Sequence, residues 1–122
     1  IEQDVFGCTL SLKGLTEAAQ EQMQVVSLSK FPSVQRDLAL LVDQNVSFES
    51  LHEIAQKTEK QLLKEVRLFD VFTGKGVPDG KKSYALSFTL ADNTKTLTDK
   101  QIDKVIQKIA AQYDKQLGAS LR

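Results

Sequence analysis

The sequence predicts an α+β fold, a ferredoxin-like βαββαβ domain with a four-stranded antiparallel sheet and two helices on one face. Two segments have helical spacing of apolar residues, and each begins with a capping signal. Segments of strand character surround them in the order that this fold requires. Each helix has a single apolar face, so both should cover the same side of the sheet and leave the other side open.

The first strand is predicted from about Arg36, with apolar residues pointing to both sides, which is typical of a central strand. These residues are Leu38, Leu40 and Val42 on one side and Ala39 and Leu41 on the other. Ser47 is the expected N-cap of the following helix, and Val46 and Leu51 have the spacing of a hydrophobic staple. The apolar stripe of that helix consists of Leu51, Ile54, Ala55 and Leu62.

Two middle strands are predicted at 65–72 and at about 82–91, joined by a loop at 73–80 that is rich in turn-forming residues. In the second of them, large and small side chains alternate. The large ones are Tyr84, Leu86, Phe88 and Leu90, and the small ones are Ser83, Ala85, Ser87 and Thr89. That alternation predicts one buried and one open face.

The last helix is predicted to begin at Thr98, which has a capping box to Gln101 and a staple from Leu97 to Ile102. Its apolar face consists of Ile102, Val105, Ile106, Ile109, Ala110 and Tyr113. Gly118 is the expected end of the helix. Residues 119–122 are long enough for a short edge strand.

Residues 1–28 are interpreted as the tail of a preceding domain plus a linker, and residues 29–122 as the main domain. Residues 5–12 alternate like a short strand, Gly14 interrupts them, and residues 16–23 have the pattern of a short helix. A start at Ile1, without Met or a basic segment, indicates a piece of a longer protein and no signal peptide.

The composition is that of a globular domain, with 41% hydrophobic residues, 26% charged residues and no net charge. No apolar run approaches the roughly 20 residues of a membrane helix, so no membrane partner is expected. A single cysteine excludes a disulfide framework and favours the cytoplasm. The zero net charge is less basic than that of most nucleic-acid binders.

We expect no catalytic centre and no metal site in this chain. Cys8 is interpreted as a small buried hydrophobe and His52 as a solvated helix residue. The acidic residues are dispersed, without the spacing of an acid/base or metal-binding pair. The glycines at 74–80 lack the GK[ST] ending of a phosphate loop.

The open face of the two middle strands is the candidate binding surface. Asp70 and Phe72 share one face of their strand, and Ser83 and Ala85 share the outward face of the next. The small residues leave room for a base to stack on Phe72 while Asp70 and Ser83 meet its polar edge. The lysines that a phosphate backbone could contact are Lys75, Lys81 and Lys82.

A structural interpretation of the same residues stays open at this point. Phe72 would then belong to the core, Asp70 would fix the turn, and the lysines would only solvate the loop. The topology is RRM-like, that is, like the RNA-recognition motif, but segment 82–88 lacks the glycine and ring placement of the RRM aromatic motif.

Five short motifs in the second part of the chain resemble those of one family. They are FPSVQRDLA at 31–39, LFDVFTG at 68–74, GKKSYA at 80–85, TLTD at 96–99 and GASLR at 118–122. In this order they resemble the C-terminal ferredoxin-fold anticodon-binding domain of bacterial-type phenylalanyl-tRNA synthetase beta chains. The resemblance covers about residues 29–122, and residues 5–25 resemble the end of the inactive, catalytic-like domain before it.

The resemblance implies a fragment that binds the anticodon stem-loop of a tRNA and contains no cofactor. Its partners would be the rest of the beta chain and the alpha chain of an α2β2 ligase that uses ATP and magnesium. The family's anticodon residues correspond to Asp70, Phe72 and Ser83. Phe72 stands where the family often has tyrosine, so the ring remains for stacking but the hydroxyl is absent.

Two other functions would place different demands on the residues. A ferredoxin-like regulatory or oligomerisation module for a small ligand would need an apolar open face or an exposed last strand. An acylphosphatase-like enzyme would need an arginine in a tight loop after the first strand, where the sequence at 43–46 is DQNV.

Overall fold

A computed structural model of the chain describes residues 5–19 and 30–122. The elements, in chain order, are α1 (Leu12–Ala18), β1 (Val34–Asp43), α2 (Phe48–Thr58), β2 (Leu63–Phe72), β3 (Lys81–Leu90), α3 (Asp99–Leu117) and β4 (Ser120–Leu121). From residue 34 onwards this is the βαββαβ order, so the predicted fold class is confirmed. None of the described helices is both long and apolar enough to cross a membrane.

The four strands form one sheet in the order β2-β3-β1-β4, and all neighbours are antiparallel. β1 and β3 lie in the middle and pair along their full length, from Val34 with Leu90 to Asp43 with Lys81. β4 is short and pairs only Leu121 with Leu40 and Ser120 with Leu41. The outer strands of the sheet are therefore the long β2 on one side and the short β4 on the other.

The core lies between one face of the sheet and helices α2 and α3, as the apolar stripes predict. Its buried side chains from the strands are Leu40, Val42, Leu63, Val66, Tyr84, Leu86, Phe88 and Leu90. Those from the helices are Leu51, Ile54, Ala55, Ile102, Val105, Ile109 and Tyr113. Burying a large apolar side chain stabilises a fold by about 1.5–3 kcal/mol, so this set dominates the stability of the domain.

Helix ends form at the residues that the sequence indicates. Ser47 Oγ accepts a hydrogen bond from the Ser50 backbone N–H at 3.3 Å. At the start of α3, the Thr98 backbone N–H donates to Gln101 Oε1 at 3.1 Å. Gly118 ends α3 with φ 60°, a left-handed conformation that glycine adopts without strain.

A buried hydroxyl links the two core helices. Tyr113 on α3 is fully buried, and its hydroxyl donates to the Leu51 carbonyl oxygen of α2 at 3.0 Å. Burial raises the pKa of the Tyr113 phenol above its ordinary value, because the charged form would lose its hydration. The phenol is therefore a neutral donor that satisfies its own polar atom within the core.

The prediction for the N-terminal segment is wrong in three respects. Residues 5–11 form no strand, because no other described strand pairs with them, and the segment from Leu12 is helical instead. Gly14 does not separate a strand from a helix but lies within α1, where its N–H donates to the Ser11 Oγ cap at 3.3 Å. Cys8 is exposed rather than buried, since none of residues 5–19 is buried. The part of the predicted helix at 20–23 lies outside the described residues.

Most other boundaries differ by one or two residues from those predicted, as the ends of elements commonly do, but α2 ends earlier than expected. Leu62 was expected on the stripe of α2 but lies beyond its end at Thr58, where it packs partly against the core. β4 is shorter than the predicted strand at 119–122. These differences leave the two faces of the sheet unchanged.

Candidate nucleic-acid interface

A β-bulge in β2 determines which of its side chains reach the open face. Leu68 pairs with Leu86, but the next pair is Asp70 with Ala85, so Phe69 is an extra residue between them. Without the bulge, Asp70 would alternate onto the side of Leu68, which faces the core. The extra residue reverses the alternation and directs the end of β2 to the open side.

The predicted placement of Asp70 and Phe72 on one face is confirmed. They reach the open side because of the bulge, which the sequence pattern did not predict. Asp70 pairs with Ala85 and Phe72 pairs with Ser83, and both partners lie on the side of β3 opposite the core. Asp70 is exposed, and Phe72 is 39% exposed. The interpretation of Phe72 as a core residue does not hold.

The ring of Phe72 is bordered by the loop after β2 and by an arginine from the opposite edge of the sheet. The guanidinium carbon of Arg122 lies over the ring, 5.4 Å from its centroid, which is a cation–π distance. A Cβ atom at Gly74 would lie 3.2 Å from Cζ of Phe72. The absence of a side chain at Gly74 therefore leaves room for the ring.

Arg122 is a further candidate residue, which the spacing of residues in the sequence did not indicate. Its backbone N–H donates to the Ala39 carbonyl oxygen at 3.0 Å, which fixes the chain just beyond β4. β4 and β2 are the two outer strands, so the Arg122 side chain must cross the open face to reach Phe72. Residues of small size on the central strands, Ala39 and Ala85, leave space for that path. In the sequence, Arg122 belongs only to the GASLR motif, and no spacing of residues indicated that it would contact Phe72.

Ser83 and Ala85 lie on the open side by register, but they differ from the expected accessible floor. Ser83 is only 5% exposed, and Ala85 is partly buried. Phe72, the direct cross-strand neighbour of Ser83, is far more exposed, at 39%. Asp70 is the more accessible polar group of the predicted set.

The three predicted lysines do not converge on one surface. Lys81 pairs with Asp43 and lies on the open side, where its Nζ is 3.9 Å from Asp43 Oδ1. Lys82 alternates to the helix side, and its Nζ lies 4.6 Å from the centroid of the Tyr84 ring. Lys75 is exposed in the loop at 73–80. The structure thus brings one lysine to the open face and turns its neighbour away.

A depression lies further along the open face, and no sequence pattern predicted it. It has a volume of about 320 Å³ and is lined by Gln35, Asp37, Arg67, Phe69 and Ser87. Phe69, the extra residue of the bulge, is 60% exposed there. Its orientation depends on the register of β2 against β3, which local sequence patterns do not determine.

The described residues contain no group of three or more His, Cys, Asp or Glu side chains that could hold a metal ion. Cys8 lies exposed in the segment before α1. His52 is partly buried on α2, with its ring centroid 5.8 Å from that of Phe48. The aromatic and charged groups of the open face are therefore the strongest candidates for function.

Comparisons with known proteins identify a family for most of the chain. The family described as "Ferredoxin-fold anticodon binding domain" matches residues 29–122. The whole chain is 49% identical to part of the phenylalanine–tRNA ligase beta subunit of Bacteroides thetaiotaomicron and 47% identical to that of Porphyromonas gingivalis. The subunit of Geobacillus kaustophilus is 42% identical over 98% of the chain. The chain spans 15% of the length of each of these relatives.

Proposed function

The chain belongs to the ferredoxin-fold anticodon-binding domain family, and we propose on this basis that the open face of its sheet binds a tRNA anticodon stem-loop. The supporting observation is the half-exposed Phe72 ring, which the bulge turns to the open face and Arg122 covers. An aromatic ring with a cationic neighbour is the arrangement on which unpaired bases stack.

We further propose that the chain is a part of a phenylalanine–tRNA ligase beta subunit, as its relatives are. The rest of that subunit and an alpha subunit would then be its partners, in an α2β2 assembly acting in the cytoplasm without a membrane partner. ATP and magnesium would be used elsewhere in the assembly. This chain would contribute binding and orientation of the tRNA, and no catalytic group.

In this proposal, one anticodon base stacks on Phe72. The guanidinium of Arg122 lies too close to the ring, at 5.4 Å, for a base to enter between them without a shift of the arginine. Arg122 would therefore move onto the base or onto its phosphate, and its planar, fully charged group suits both roles. The ring supplies a platform that accepts any base, so specificity must come from polar neighbours.

Asp70 is the neighbour that would supply this specificity. Its carboxylate is exposed beside the ring, and a carboxylate only accepts hydrogen bonds. Placed near phosphates it would weaken binding, unless a base offers it an N–H donor. Ser83, being 5% exposed, would contact the RNA only after its neighbours shift, and Ala85 would form the floor beneath the base.

Lys81 and Lys75 would contact the phosphate backbone from the edge of the open face and from the loop. Lys82 is the weakest of the three lysine candidates, because its ammonium group lies over Tyr84 on the helix side. The alternative of a small-ligand module rests on a depression of about 360 Å³ between α3 and β4. Leu40, Ala110 and Leu121 are among its lining residues, and it lies away from Phe72.

The proposal is tested in the full-length protein that contains this chain, by titrating anticodon stem-loops with a phenylalanine anticodon or an exchanged one. Phe72→Ala should weaken binding of the matched RNA by about 1–3 kcal/mol, the usual value of a base on an aromatic ring. Val71→Ala is the matched control, because Val71 is 48% exposed on the same strand but pairs with Tyr84 on the helix side.

Phe72→Tyr completes the test, since it keeps the ring and adds the hydroxyl that the family often has at this position. It should hold or improve the affinity without altering the fold. Normal binding of the matched RNA by a correctly folded Phe72→Ala variant would rule out this face as the anticodon site.

A further inference from the structure

We infer that the depression around Phe69 is a second base-binding subsite, which takes another unpaired base of the RNA strand whose neighbour stacks on Phe72. The inference rests on the proposed function and specifies a second contact of the same surface. The expected ligand is a base with an exocyclic amino group. The lining residues are Gln35, Asp37, Arg67, Phe69 and Ser87.

The bulge is the first observation that supports a second subsite. As the extra residue of β2, Phe69 joins Asp70 and Phe72 on the open side, so one strand presents two rings to the same surface. Bulges commonly redirect side chains next to functional sites. A 60% exposed phenylalanine costs solubility, and no other described element covers it. A stacked base would bury that ring.

The spacing of the two rings suits an unpaired strand. Phe69 and Phe72 are three residues apart on β2. At about 3.3 Å per residue, the two positions are at most roughly 10 Å apart. Sheets of RRM-like topology hold two or three bases on exposed aromatic rings, so two subsites agree with the size of the face.

The polar groups of the depression define the kind of base that fits. Arg67, Ser87 and Asp37 form one row across three strands, because Ser87 pairs with Arg67 on β2 and with Asp37 on β1. The Asp37 carboxylate only accepts hydrogen bonds, and the amino groups of adenine, cytosine and guanine donate them. Uracil has no amino group, so its N3–H is the only base-edge donor that it could offer to that carboxylate.

The charges in the row also indicate an orientation for the RNA. Arg67 lies on the outer strand β2, with its Nε 3.8 Å from the exposed Glu65 carboxylate, a contact that is weak in water. Arg67 is therefore free to turn to a phosphate. The RNA backbone would then follow β2, and the base would point inwards over Ser87 to Asp37. The volume of about 320 Å³ lies within the range of small-ligand pockets.

The test combines protein variants with abasic RNAs, again in the full-length protein. Each of the three anticodon positions is replaced in turn by an abasic nucleotide, and dissociation constants are measured for the parent, Phe69→Ala and Phe72→Ala. Phe69→Ala should weaken binding of the intact RNA by about 5- to 150-fold. One abasic RNA should bind the parent and Phe69→Ala equally, which identifies the base that contacts Phe69. A different abasic position should remove the effect of Phe72→Ala.

Two further variants separate stacking from structural effects. Phe69→Tyr keeps the ring and should bind like the parent, while Asp37→Asn should reduce the preference for the intact RNA over one with uridine at the coupled position. Coupling at Phe72 without coupling at Phe69 would overturn the second subsite and leave the proposed function intact. Absence of coupling at both rings would overturn the proposed function itself.

Discussion

Arg122 and Phe72 meet over the open face, with the guanidinium carbon 5.4 Å from the centroid of the ring. They come from opposite edges of the four-stranded sheet, so their contact spans the two central strands. The face of the ring that Arg122 covers is also a face on which a base can stack. Binding of RNA and the position of Arg122 must therefore depend on each other.

We predict that Arg122→Ala weakens binding of the anticodon stem-loop by about 1.5–3 kcal/mol, the range of hydrogen bonds to charged groups. The slope of log Kd against log salt should fall by about one unit, because a cation near phosphate is lost. Arg122→Lys should keep the slope and regain only part of the affinity, since lysine lacks the planar group. Fold effects should be small, because the bond to Ala39 uses the backbone. Unchanged affinity in Arg122→Ala would mean that the RNA does not approach this ring.

Much of the fold was predictable because its signals are local. Helices begin after Ser47 and Thr98 and end at Gly118 through hydrogen bonds to groups within four residues. The alternation of large and small side chains in β3 directly predicts its buried face. The segment before residue 19 was mispredicted because alternation alone does not make a strand. A strand also needs a partner, and the Ser11 cap favours a helix at Leu12 instead.

The candidate site was predictable only in part, because it depends on register between distant strands. Asp70 and Phe72 reach the open face through a bulge, and Phe69 joins them for the same reason. Arg122 reaches the ring from the far edge of the sheet, and Lys82 turns to the helix side. These placements follow from pairing and sheet order rather than from any short pattern in the sequence.

Asp70 should determine which base is accepted rather than how tightly RNA binds. We predict that Asp70→Ala reduces the discrimination between matched and exchanged anticodons by about 1–3 kcal/mol, the value of a well-placed base contact. Asp79→Ala is the control, since it removes an equal charge from the exposed loop. Titration of both variants against both RNAs measures the effect. Equal changes in the two variants would indicate a general electrostatic effect and would contradict recognition by Asp70.

Lys81 and Lys82 should differ although they are adjacent in sequence. Lys81→Ala should weaken all RNAs alike and lower the salt slope by about one unit, since Lys81 lies on the open side. Lys82→Ala should leave RNA binding almost unchanged, because its ammonium group lies over Tyr84 on the other side. Titrations at several salt concentrations compare the two. A larger effect at Lys82 would place the RNA backbone on the helix side of the sheet.

Deletion of residues 1–28 should leave the remaining domain folded. The described residues 5–19 contribute no buried side chain, and every residue of the core cluster lies between Leu40 and Ala119. We therefore expect residues 29–122 to melt cooperatively, with a free energy of unfolding close to that of the parent. Thermal and urea unfolding followed by circular dichroism measure this. Loss of the cooperative transition would show that the domain boundary lies earlier in the chain.

Helix α3 should owe more stability to its buried face than to its cap. Ile109 is fully buried between the sheet and the helices, so Ile109→Ala should cost about 2–5 kcal/mol through lost burial and a cavity. The Thr98 hydroxyl lies 3.1 Å from Gln101 Oε1, whereas the backbone contact of the cap belongs to the Thr98 N–H, which survives substitution. Thr98→Ala should therefore cost about 0.5 kcal/mol, at the low end for N-caps. Urea unfolding of both variants shows which substitution costs more stability, provided that the free energy of unfolding depends on urea concentration with the same slope in both. A cost at Thr98 equal to that at Ile109 would mean that the cap, rather than the packed face, holds α3 against the sheet.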